Sequence, residues 1–223
     1  MRRAVRFLRD TPCAALLIVQ LLGVIVYPFL EGSVAGRSAL AVFGLAVLAL
    51  VVRAVRATPM LWWVSVTLAI PALGLLLVQA VTLDDSLAPY SAVFEALLYF
   101  YAAVSMLVYM LADERVTTDE MFAVGAVFTL LAWAFAYTYV VVQALDPGSF
   151  TAAVQPDQPR TWTELLFLSF TTLSSTGLSD IVPVHGHSRS VVMLEQVVGL
   201  FYIAMVVTRL VGLNMARVNR RRD

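Results

Sequence analysis

Residues Thr161–Leu213 read TWTELLFLSFTTLSSTGLSDIVPVHGHSRSVVMLEQVVGLFYIAMVVTRLVGL. Three pieces follow one another. A short apolar helix opens at Thr161-Trp162-Thr163-Glu164, a polar turn with one glycine runs Ser174-Ser175-Thr176-Gly177-Leu178-Ser179-Asp180, and a long apolar helix comes after it. Bare backbone at membrane depth survives only where it lines a water-filled path or is buried in protein. The order of short helix, polar turn and spanning helix is what a re-entrant loop requires.

The rest of the chain is equally apolar. Of its 223 residues, 61% are hydrophobic and 13% charged, more apolar material than a soluble domain of this size needs. The expected class is an all-α integral membrane protein whose surroundings are a lipid bilayer. The formal net charge is zero, with no basic excess to suggest a nucleic-acid partner. Every basic residue is arginine. The single Cys13 excludes an intramolecular disulfide and a cysteine metal cluster, and reads as a small apolar helix residue.

A span needs about 20 mostly apolar residues. Six runs qualify: 13–30, 38–55, 60–82, 90–112, 121–145 and 190–214. Arg53 interrupts the end of the second and can snorkel to the headgroups. Arg2, Arg3, Arg6 and Arg9 precede the first run, Arg53 and Arg56 follow the second, and Arg217, Arg220, Arg221 and Arg222 follow the last. The positive-inside rule then puts both termini in the cytoplasm and the loops around Leu83–Ser86 and 146–189 outside. The expected location is the plasma (cell inner) membrane, multi-pass. The first run is too long for a signal-peptide core and no clear A-x-A site follows it, so it is read as a span. There is no internal repeat. One re-entrant loop cannot close a four-fold pore alone, so a homotetramer is expected.

The polar joint Ala112–Glu120 divides the chain into 1–112, a four-helix unit, and 113–223, a unit of outer helix, pore helix, filter and inner helix. Thr118 is positioned to cap the fifth helix, with Asp119 and Glu120 in its first turn, where the dipole favours anions. The fourth span, YSAVFEALLYFYAAVSMLVYML, holds no arginine and one charge, Glu95. Gating charge is carried by arginines in the field, so gating by voltage through such residues is not expected. Glu95 reads as an interfacial carboxylate reaching the outer headgroups beside Tyr90, and the tyrosines at 90, 99, 101 and 109 as packing and belt residues. About ten residues follow the last span, too few for a cytoplasmic ligand-binding domain.

Thr161 and Glu164 have capping-box spacing at the head of the pore helix. The helix then runs to about Thr172, and its C-terminus would bring partial negative charge to the place where a cation loses water.

The segment resembles the pore of the potassium-channel superfamily, whose filter pattern is T-V-G-Y-G-D. Aligned on SFTTL before it and D-I-V-P after it, the equivalent residues are Ser175, Thr176, Gly177, Leu178, Ser179 and Asp180, with Ser174 leading in. The resemblance implies backbone carbonyls that replace an ion's hydration shell, so the permeant cation is expected at Ser175, Thr176 and Gly177, with no other cofactor. Ser175 keeps the inner hydroxyl, Gly177 the permissive backbone and Asp180 the outer carboxylate. Leu178 stands where the family has an aromatic residue whose hydroxyl ties the filter to the pore helices. Ser179 replaces the second glycine, which the family uses at positive φ. The Trk/Ktr/HKT transport proteins are similar in pore architecture, use one glycine per filter segment and still pass potassium or sodium. By the same resemblance Gly199 is placed like an inner-helix hinge. Glu195, near the outer end of the last helix, is expected to bond to the filter's backbone or loop, with Trp162 also supporting the filter. Helical spacing puts Ile203, Val206, Val207 and Leu210 near one side, where they would line the cavity as a hydrophobic gate.

The expected function is passive permeation of K⁺ or another monovalent cation. The alternatives are a non-selective or divalent-permeable pore, for which Ser179 and Asp180 would supply an oxygen-rich outer ring, or a non-conducting subunit of a heteromer. Catalysis is not expected. Ser179, Asp180, His185 and His187 share one loop, and G-L-S-D is not a nucleophile elbow. The two histidines read as exposed loop residues.

Overall fold

The computed structural model describes residues 11–30, 34–82, 85–112 and 118–219. Arg2, Arg3, Arg6 and Arg9, most of the joint at 113–117, Leu83 and Asp84, and Arg220–Arg222 lie outside the described residues.

Helix α1 (Pro12–Leu30) starts on a proline, whose missing N–H costs nothing in a first turn. Helix α2 spans Val34–Arg56, and Arg56 lies over the Trp62 ring at 4.7 Å where α3 (Trp62–Thr82) begins. A 3-10 turn at Asp85–Leu87 leads into α4 (Ala88–Leu111). The outer helix α5 runs Thr118–Leu145, with Asp119 and Glu120 in its first turn. The short α6 is Trp162–Leu173 and the last helix α7 is Gly186–Asn219, continuous through Gly199.

Each of the six expected spans falls on one of these helices. Five stretches, 12–30, 62–79, 88–111, 119–145 and 186–209, are long and apolar enough to cross a membrane, and the chain is a multi-pass membrane protein. The remaining helix, α2, is 23 residues long and carries Arg53 and Arg56 in its last turn.

Helix α5 is the hub, packed on α1, α4, α6 and α7. Its faces are built from alanine: Ala123, Ala126, Ala132, Ala134 and Ala136 are fully buried, and Ala92, Ala102 and Ala103 on α4 are buried beside them. Lipid is as apolar as leucine, so helices in a bilayer associate through close approach, which small side chains permit. The Cys13 amide donates to Asp119 Oδ1 at 3.1 Å, pinning the start of α1 to the start of α5.

A small antiparallel ribbon, which the sequence reading did not anticipate, crosses the outer loop. Strand β1 (Phe150–Ala152) pairs with β2 (Ile181–Pro183), Thr151 opposite Val182. It fastens the α5–α6 loop to the chain that leaves the polar turn.

Candidate functional site

Both hydrogen bonds of a capping box form at the head of α6. The Glu164 amide donates to Thr161 Oγ1 at 3.3 Å, and the Thr161 amide donates to Glu164 Oε2 at 2.7 Å. Arg160, buried just ahead of the cap, adds an ion pair to Glu164 at 3.2 Å and donates to the carbonyls of Val154, Gln155 and Gln158. The Gln143 side chain, on α5, grips the Arg160 backbone from both sides, its amide donating to the carbonyl at 2.9 Å and its oxygen accepting from the N–H at 2.8 Å. The sequence reading missed Arg160, whose one signal was a lone arginine directly before the cap.

Trp162 seats the first turn of α6 in an aromatic cluster. Its ring lies 4.2 Å from Tyr27 of α1, and 5.2 and 5.6 Å from Trp133 and Tyr137 of α5. Tyr99 of α4 joins through Trp133 and Tyr137, so α1, α4 and α5 each contribute a ring to the group around the first turn of α6. Glu95 belongs to this buried layer. It is 3% exposed and hydrogen-bonds with Tyr137, which overturns the reading of an interfacial carboxylate in the outer headgroups. An i, i+4 pattern on a lone helix cannot show which face a neighbour covers. Tyr99 is fully buried and Tyr90 is 65% exposed, so only the latter fits a belt position.

The polar turn leaves α6 through Ser174, the C-cap, still in helical conformation. Ser175 then adopts φ 59°, a left-handed conformation unusual for a residue with a Cβ, and Gly177 adopts φ 63°. Thr171 O collects the amides of Thr176 (3.1 Å) and Gly177 (3.0 Å) and the Thr176 hydroxyl (3.2 Å). The Ser174 and Thr176 hydroxyls pair at 3.0 Å. Ser179 is not among the residues at positive φ; its hydroxyl instead accepts from the Ile181 amide at 3.1 Å. The strain expected at the second-glycine position is thus borne by Ser175. Ser175, Thr176, Gly177, Leu178 and Asp180 are exposed, Leu178 at 80%. Leu178 stands out from the fold, where its apolar side chain ties nothing to α6.

Glu195 is fully buried on α7, and its partners are not in the filter. One carboxyl oxygen hydrogen-bonds with Ser169 of α6, and the other accepts from the Tyr139 hydroxyl of α5. Ser169 Oγ also donates to the Ala132 carbonyl at 2.8 Å. The expected bond from Glu195 to filter backbone is therefore replaced by a three-helix junction one turn behind it.

Gly199 meets α6 directly. A Cβ there would lie 2.2 Å from Leu173 O and 2.9 Å from Leu173 Cα. Helix α7 therefore touches α6 twice at constant register, since 195 − 169 and 199 − 173 both equal 26. The glycine is required for this approach, and the helix passes through it without a break.

Below that point, Ile203 and Val207 are exposed at 37% and 54%, continuing the exposed side of Leu200, whereas Val206 turns inward against the core. Ile203, Val206 and Val207, expected on one side, are thus divided between two; Leu210 is placed by its helix backbone alone. Further along α7, Arg209 pairs with Glu120 of α5 at 3.8 Å, and the Tyr202 hydroxyl donates to Val124 O at 2.5 Å.

At the opposite end of α7, His185 Nδ1 lies 2.8 Å from Asp146 Oδ2, joining the end of α5 to the residue before α7. Both side chains are partly exposed. The hydrogen bond from His185 holds the Asp146 carboxyl below its ordinary range. His185 is thus an exposed loop residue, as expected, and also a tether. The Val184 amide and the Ser188 hydroxyl donate to Ser149 O at 2.8 and 2.9 Å, strengthening the same junction.

A family model described as "Ion channel" matches residues 96–215, more than half of the chain, from the middle of α4 to the end of α7. The match reaches further back than the resemblance carried by 161–213. No curated protein and no solved structure matches the chain.

Proposed function

We propose that this chain, which belongs to the ion channel family, conducts K⁺ or other monovalent cations passively as a homotetramer in the plasma (cell inner) membrane. Both termini lie in the cytoplasm, in keeping with the arginines at each end and the positive-inside rule. One observation carries the reading: a capped, largely buried α6 ends in an exposed turn of Ser175, Thr176, Gly177 and Leu178, while α7 continues behind it. Four such turns around an axis would offer rings of oxygen to a dehydrating cation, and four helix C-termini would add partial negative charge. Residues 1–112 act as a surrounding unit that braces 113–223. Gating by sensor charges is not part of the proposal, because α4 contains no arginine.

A second reading, a non-selective or differently selective cation pore, is favoured by two features: the exposure of Leu178 and the absence of positive φ at Ser179. The deciding experiment is the reversal potential of the purified protein in bilayers under opposed K⁺ and Na⁺ gradients, followed by Ca²⁺ and Mg²⁺. A value near the K⁺ equilibrium potential supports selectivity from the inner sites alone. A value near zero supports the general cation pore, and absence of current overturns conduction by this chain alone.

A further inference from the structure

The junction behind the filter contains more contacts than its two hydroxyl protons can serve. Three hydrogen bonds meet there: Tyr139 hydroxyl to Glu195, Ser169 hydroxyl with Glu195, and Ser169 hydroxyl to Ala132 O. The Ala132 carbonyl only accepts. A serine hydroxyl has one proton, and the Ser169 hydroxyl lies within hydrogen-bond reach of both the Ala132 carbonyl and a Glu195 oxygen, so whichever it serves, the other contact lacks a proton. With a carboxylate, two hydroxyl protons would have to serve three bonds, leaving two acceptor oxygens facing each other in a site with no access to water. Such an unpaired buried contact is costly. With a carboxylic acid the count closes. Glu195 donates to Ser169, Ser169 donates to Ala132 O, and Tyr139 donates to the second carboxyl oxygen.

We propose that Glu195 is held as a neutral carboxylic acid and positions the filter turn by donating to Ser169. The proposal deepens the channel reading and rests on it for the role, though not for the protonation state. The groups that act on Glu195 are Tyr139 from α5 and Ser169 from α6; neither is charged at neutral pH. Ser169 lies two residues before Thr171, whose carbonyl gathers the amides of Thr176 and Gly177. One turn further along both helices, Gly199 abuts Leu173. The acid thus fixes the height and rotation of α6 at the turn that delivers the filter. In the potassium-channel pattern an aromatic hydroxyl makes that tie from the filter; Leu178 has none, and here the tie is made from the inner helix.

The test begins with infrared difference spectra of the purified protein at neutral pH, wild type against Glu195→Gln. A neutral-carboxyl carbonyl band present in the wild type and missing from the variant is expected. Its absence overturns the proposal, whether or not the protein conducts. In bilayers, Glu195→Gln retains a donor and an acceptor and is expected to rescue selectivity. Glu195→Ala is expected to lower selective current about tenfold or more, as loss of a buried donor with its partner left unsatisfied implies. A Gln variant as damaged as the Ala variant overturns the positioning role. If the Ala variant does not fold, Tyr139→Phe serves. It should keep the band at a shifted frequency, and an unshifted band would refute the contact.

Discussion

Substituting Gly199 by alanine separates two explanations for that glycine. As a hinge, it would serve opening, and an added methyl would alter open probability while leaving the fold and the filter intact. As a contact point, it admits no methyl at all. The Cβ would stand 2.2 Å from Leu173 O, with Leu173 C and Cα both at 2.9 Å. A carbon settles against a carbonyl oxygen at about 3.3 Å, so one helix must retreat by about 1 Å. The obstructing atoms are backbone at the last turn of α6, which no rotamer change can move. Overpacking of this kind costs about 1–3 kcal/mol, and helix propensity returns only about 1 kcal/mol for Gly→Ala. The retreat is passed directly to Ser174–Gly177, so selectivity should fall together with stability. Gly74 is an internal control, because a Cβ there meets nothing within 4 Å. Gly74→Ala should therefore be neutral or stabilising by up to about 1 kcal/mol. The assay is thermal unfolding of the purified protein beside its reversal potential. A Gly199→Ala protein that melts with the wild type and keeps its selectivity would refute the close-packing argument and restore the hinge.

Glu164→Ala removes half of the capping box and the partner of buried Arg160; a loss of about 1–2 kcal/mol is expected in thermal unfolding, and a change within error would show that Arg160 alone holds the cap. Ser175→Gly should stabilise the protein by about 1 kcal/mol, because serine at φ 59° pays a cost that glycine does not. The same change at Ser179, which is not at positive φ, should give no such gain in the same measurement. The Asp146 carboxyl is depressed by its bond from His185, so its contribution to stability is full above the ordinary aspartate range and is lost as pH falls through its lowered folded value. Unfolding profiles of wild type and Asp146→Asn should therefore converge in acid and separate above it, and parallel profiles would dismiss the pair.

What the sequence made legible was whatever depends on local chemistry. Apolar run lengths gave the helices to within a few residues, since length against bilayer thickness is a one-dimensional constraint. The capping box could be read because Thr161 and Glu164 satisfy each other within one turn. What escaped needed knowledge of neighbours. Glu95 looks interfacial on its own helix, and is buried because Tyr99 and Tyr137 close over it. Val206 shares a helical side with Ile203 and Val207 on a wheel, yet the core claims it. The partnership of His185 with Asp146 links residues 39 apart in sequence, and nothing in the G-H spacing announces it.

The polar turn shows how a departure from pattern in one place is matched by structure in another. Read alone, Leu178 and Ser179 are two losses, a missing hydroxyl and a missing glycine. In the fold the left-handed turn falls earlier, at Ser175 and Gly177, so Ser179 is released from positive φ and its hydroxyl caps the Ile181 amide that begins β2. The lost tie has a counterpart too. Helix α7 grips α6 at Ser169 through a carboxyl and at Leu173 through a glycine, in one register. Two contacts one turn apart fix both translation along an axis and rotation about it, which a single hydrogen bond from one aromatic side chain does not. The helix that delivers the turn is therefore joined to its neighbours through three buried residues, Tyr139, Ser169 and Glu195, while most side chains of the turn itself are exposed. Substitutions at exposed Leu178 should accordingly alter stability far less than substitutions at Glu195, and any effect at Leu178 should appear in permeation alone.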